Sequence, residues 1–157
     1  MKFLVSVLAL ISLSATANVG DSIRHNFTFN GQSGFQEQTV IGINNQGQSF
    51  NVSYTISLAG STATNIVIVP TADLFTKLKA SQILTYCPQI GGVIENVLGH
   101  RTCKVTGDKL YELGLFSFVE TMNADVIWIG NVPVNGIVKA VLSNGLIMTL
   151  GNYNWSR

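Results

Sequence analysis

Cys87 and Cys103 are the only cysteines in the chain, and thiols are its most reactive side chains. In an oxidising compartment an even count favours one disulfide. The loop it would close is about 15 residues, worth on the order of 3 kcal/mol in the chain-entropy model. Metal binding is the competing use of thiolates. The only imidazoles, His25 and His100, stand at no zinc-ligand spacing from either cysteine. The expectation is a disulfide, with no metal and no cofactor.

Acid–base chemistry has fewer candidates. His25, next to Arg24, would need an orienting carboxylate and a nucleophile to act as a general base. Ser33 lies between glycines in Gly31-Gln32-Ser33-Gly34, a setting that reads as a hairpin turn. The nucleophile elbow, the helical zinc-protease pattern and the phosphate-binding loop are all missing from the sequence. Glu95 and Asp125 are a formal carboxylate pair for glycoside hydrolysis. Nothing in the sequence fixes their separation, and both read as solvated strand charges. Phe116, Phe118, Trp128, Tyr153 and Trp155 could stack on sugars or line a groove, but strand aromatics more often pack in a core. The chain is therefore expected to be no enzyme, with no catalytic residue.

Strands must position these side chains. Phe50, Val52, Tyr54, Ile56 and Leu58 alternate with Asn51, Ser53, Thr55 and Ser57. A period of two predicts one buried face and one wet face, with Val52, Tyr54 and Ile56 inward. Segments 23–29, 35–43 and 64–69 complete a first group of four. Asn30-Gly31, Asn44-Asn45-Gln46-Gly47 and Ala59-Gly60-Ser61 separate them as tight turns. A second group covers 92–98, 101–106, 109–121, 125–129, 136–142 and 146–155. Between the groups, 74–84 predicts one helix, with Thr71 as N-cap and Asp73 in the first turn. Leu74, Phe75 and Leu78 fall on one helical face and Ile83 at its margin. The fold class is mainly β: a single curved antiparallel sheet, half-barrel-like, of about nine or ten strands, with one helix packed on its concave face.

The chain opens with Met1-Lys2, an apolar run over 3–13 and Ser14-Ala15-Thr16-Ala17. That is the layout of a secretory signal peptide, expected to span 1–17 and to leave a single domain over 18–157. The run is shorter than the roughly 20 apolar residues a spanning helix needs, and no later segment is long and apolar enough. Export to the periplasm or the exterior is expected. Apart from Lys2 the remaining basic residues balance the acidic ones and are scattered, which argues against nucleic acid as a partner. Sparse charge also gives little protection against self-association.

Several segments resemble a set of uncharacterised exported bacterial proteins. Val19-Gly20-Asp21 is similar to their mature start. Cys87, Gly91-Gly92, Glu95 and Thr102-Cys103-Lys104 resemble their Cys…Gly-Gly…Glu…Thr-Cys-Lys hairpin. Trp128, Val132-Pro133, Gly136-Ile137-Val138-Lys139 and the strand 148–153 resemble their closing segments. That set in turn resembles half-barrel, lipoprotein-carrier-like envelope proteins. The resemblance implies a sheet curved around a helix, a concave face able to hold a lipid or other apolar ligand, and no catalytic residues. Leu74, Phe75, Leu78 and Ile83 are the expected inward-pointing, ligand-contacting residues. Two functions stay open: a carrier of an apolar ligand, or a structural or interaction module of the cell envelope with a filled core. An apolar pocket of roughly 300 Å³ or more beside the helix separates them.

Overall fold

The computed structural model describes residues 16–112 and 124–156. The expected signal peptide lies outside them except for Thr16 and Ala17. Nine strands form one antiparallel sheet: β1 (Ser22–Phe29), β2 (Gln32–Asn44), β3 (Ser49–Leu58), β4 (Ser61–Pro70), β5 (Val93–Val97), β6 (His100–Thr106), β7 (Ala124–Ile129), β8 (Ile137–Leu142) and β9 (Ile147–Asn154). Their order is β4-β3-β2-β1-β9-β8-β7-β6-β5. Two meanders thus meet where the first strand pairs with the last.

Turn chemistry explains the hairpins. Asn30 and Gly31 (φ 49° and 76°), Ala59 and Gly60 (54° and 82°), and Leu98 and Gly99 (52° and 79°) each place two residues at positive φ. That is the type I′ loop, whose twist matches the strands it joins. Bulges shift the register at Arg24/His25, Val40/Gly42, Ala124/Val126 and Trp128/Ile129, but aligned rows still cross all nine strands. One row reads Val93, Lys104, Trp128, Lys139, Thr149, Asn26, Phe35, Ser57, Thr62.

That row marks the open face. The opposite face is covered by a helix, α1 (Lys77–Tyr86), by Leu74 and Phe75 leading into it, and by the 130–136 loop. Ala80 and Ile83 of α1 pack on Cys103, Val105, Ile127, Ala140 and Met148. Leu74, Val132 and Val134 pack with Ile23, Val40, Phe50, Val52 and Val69, and Ala17 is buried with them.

Three expectations need correction. The helix starts later: Thr76, not Thr71, is its N-cap, and its hydroxyl accepts the Lys79 N–H at 3.2 Å. Thr71 begins a separate 3-10 turn, Thr71–Asp73, and Leu74 is extended. Leu74 and Phe75 therefore share no helical face with Leu78. Residues 109–112 belong to a short helix, α2 (Gly107–Glu112), rather than a strand, and the remainder of that expected strand lies outside the described residues. Ile56 is 37% exposed, although Val52 on the same strand face is fully buried. The covering elements reach only one end of β3, so alternation persists along the strand while burial fades toward the Ala59-Gly60 turn.

Candidate functional site

The disulfide is formed. Cys87, the C-cap of α1, and Cys103 in β6 are bonded and fully buried. The bond moors the helix to the sheet. Gly92 passes so close that a Cβ there would stand 2.5 Å from the Cys103 sulfur and 2.7 Å from that of Cys87. Gly91 turns at φ 81°. Of the Gly-Gly pair after the first cysteine, Gly92 is thus a packing requirement of the bridge and Gly91 a backbone requirement of the turn.

The four expected ligand-contacting residues are split. Leu74 is fully buried in the cluster under the first meander. Phe75 and Ile83 are 1% and 6% exposed in the cluster under the second. Leu78 is half-buried. Phase along the chain did not decide this. Phe75 donates its backbone N–H to Val134 at 2.9 Å, a bridge to a distant loop. A hollow of about 300 Å³ does open beside α1, but its lining is Lys77, Ser81, Leu84, Thr85, Arg101 and Asn131. Polar and apolar surface are about equal in it, Leu84 is its one aliphatic residue, and it carries two cations, with Lys77 lying 5.3 Å over the Trp155 ring.

The acid–base candidates do not converge. His25 is fully buried, and its Nε2–H donates to the Ile137 carbonyl at 2.8 Å. Burial pushes its pKa below the usual imidazole value, against the smaller opposing effect of that bond. Its Nδ1 and the Nε2 of its cross-strand neighbour Gln36 are buried without a hydrogen bond among the described residues. Ser33 pairs with Thr28, so alternation sends it to the open face, opposite His25. There it lines a hollow of about 460 Å³ with Arg24, Asn26, Phe35 and Thr149, and the Arg24 guanidinium sits 3.5 Å over the Phe35 ring. Glu95 accepts the Trp128 indole N–H at 2.9 Å and lies 3.7 Å from Lys104. Lys104 and Lys139 flank that buried indole. Asp125 is exposed on β7. Among the described residues no group of acids, histidines and cysteines could hold a metal ion, and no helix is long and apolar enough to cross a membrane.

Two features escape sequence reasoning. One is Asp21, fully buried. It accepts the Asn18 N–H at 2.9 Å through Oδ2, and the Ser156 N–H and O–H at 2.8 and 2.9 Å through Oδ1. One carboxylate clasps both ends of the described chain. The other is the outer edge of β4. Every residue from Ser61 to Pro70 except Val69 is exposed. Ile66 and Ile68 are 65% and 68% exposed, and the strand has no charged residue. Edge strands usually carry a lysine, an inward charge or a bulge against pairing, and β4 pairs with β3 without a register shift. The type I′ turn makes Leu58 and Ser61 the pair that exchanges backbone bonds. Alternation then turns the N–H and C=O groups of Thr62, Thr64, Ile66 and Ile68 outward. Pro70 falls in the same outward set, where its missing N–H removes no bond within the sheet.

No family model matches the chain, and neither a curated protein nor a solved structure matches it.

Proposed function

We propose that this chain is an exported, non-enzymatic interaction module that works by strand addition at β4. The observation that carries this reading is the outer edge of β4: ten residues long, uncharged, exposed except at Val69, and with no strand paired to it among the described residues. Such an edge supplies main-chain hydrogen bonds for affinity and alternate side chains for selection. The filled core supports the same choice. Leu74, Phe75 and Ile83 occupy the space that a carrier of a lipid or other apolar ligand would keep for its cargo.

The disulfide, together with the lack of a long apolar helix among the described residues, fits the export reading and the resemblance to exported bacterial proteins. Native mass spectrometry of protein recovered from its own compartment, with melting measured after adding fatty acid or phospholipid, tests the reading. The expected result is no lipid-sized adduct and an unchanged Tm. A co-purifying lipid together with a raised Tm would replace the interaction module by the carrier, as binding linkage requires.

A further inference from the structure

We infer that the strand received by β4 is β4 of a second copy, paired antiparallel about a two-fold axis through Asn65. This rests on the reading of β4 as the working edge. Two-fold pairing of a strand with itself allows few registers. Of those that bring outward groups face to face, the two that overlap the strand most fully centre on Asn65 and on Ile66. Centring on Ile66 sets Thr62 against Pro70 of the second copy and forfeits a donor. Centring on Asn65 sets Thr62 against Ile68 and Thr64 against Ile66, in both directions. Every outward N–H and C=O of Thr62, Thr64, Ile66 and Ile68 then finds a partner, and Pro70 lies beyond the ladder.

The side chains agree. The two-fold is perpendicular to the sheet, so Thr62, Thr64, Ile66 and Ile68 of both copies share the open face. Ile66 and Ile68, each about two-thirds exposed in the single chain, gain cross-strand threonine neighbours. No charge on either strand opposes the approach. Homotypic pairing also closes, whereas β4 against the other edge, β5, would propagate head to tail. One strand edge covers less than the roughly 800 Å² per partner of a standard interface, so the dimer should be concentration-dependent.

Cysteine placement tests the register. Asn65 is exposed, and across the axis it meets its own copy as a non-hydrogen-bonded pair with Cα atoms about 4.5 Å apart, within reach of a disulfide. Asn65→Cys is expected to form a covalent dimer under mild oxidation. Ile66→Cys, diagonal to its copy at about 7–8 Å, is expected to stay unlinked. Adding Ile66→Lys to Asn65→Cys should cut cross-linking about tenfold or more.

In the unaltered protein, amide exchange at Thr62, Thr64, Ile66 and Ile68 should slow as concentration rises from micromolar to millimolar. Linking at position 66 in place of 65, or fast exchange at every concentration, overturns the second copy as occupant while leaving β4 a free edge. Slow exchange already in the dilute monomer overturns the edge reading itself.

Discussion

Asp21→Asn removes a charge and nothing else of the shape, so it isolates what the buried carboxylate does. In the native protein Oδ2 accepts one N–H and Oδ1 accepts an N–H and a hydroxyl, all between 2.8 and 2.9 Å. An asparagine amide has one acceptor oxygen. Turned toward Ser156, it keeps those bonds in weaker, neutral form and points its NH₂ at the Asn18 N–H, donor against donor. Turned the other way, it loses both Ser156 bonds. Hydrogen bonds to a charged group contribute about 1.5–3 kcal/mol each, and a buried donor left unpaired costs about 1–3 kcal/mol. The expected loss is therefore about 2–4 kcal/mol, since the side chain is fully buried and no water can substitute. Urea unfolding at neutral pH measures it directly. At about 2–4 °C per kcal/mol for a domain of this size, Tm should fall by roughly 5–15 °C. Ser156→Ala, which deletes only the hydroxyl bond, should cost about 1 kcal/mol, and the double variant should lose less than the sum because the two share an interaction. An Asp21→Asn protein within about 0.5 kcal/mol of the parent, the range of ordinary surface changes, would refute the claim that this carboxylate holds the chain ends.

Other outcomes follow from the same structure. Thiol labelling of the denatured, unreduced protein should find no free cysteine, and Cys103→Ser should cost about 2–5 kcal/mol in urea unfolding. Val52→Ala should destabilise by roughly 2–3 kcal/mol and Ile56→Ala by about 1 kcal/mol or less, because only Val52 is covered; equal losses would mean that both ends of β3 are buried. His25, with its pKa lowered by burial, binds a proton more readily in the unfolded chain than in the fold. Stability should be flat above the unfolded value of about 6.5, fall as pH drops below it, and level off beneath the folded value. Urea midpoints between pH 5 and 8 should show this slope, and His25→Gln should flatten it.

The hairpins were legible because their determinants are local. Asn30-Gly31 and Ala59-Gly60 announce positive-φ turns, and the alternation of 50–58 sets which side chains share a face. The extent of burial was not legible. Whether Val52 or Ile56 is covered depends on Leu74, Val132 and Val134, which arrive from far along the chain. The helix start failed for a related reason. Thr71 and Thr76 are equally good caps by type, and Phe75 is drawn out of the helix by its backbone bridge to Val134. Lys79 fixes that approach by donating its ammonium to the carbonyls of Ala72 and Leu74. The β4 edge was hidden by its own composition. Ile66-Val67-Ile68-Val69 reads as a doubly buried strand, and only Pro70 hinted at an edge. Asp21 looked like one more scattered charge, since its partner Ser156 lies at the other end of the chain.

The pairing of β1 with β9 sets the order in which this molecule can be made. The strands that join the two meanders are the first and the last of the nine in chain order. Each meander can assemble from neighbours, whereas the seam between them waits for the final segment, Ile147–Asn154. Loop-closure entropy across nearly the whole chain must be met before that contact forms. A chain cut short before β9 would thus present β1 and β8 as two further raw edges. Until Ile147–Asn154 is in place, the two half-sheets share no backbone ladder and must lean on the packing of Leu74, Val132 and Val134 against the first meander.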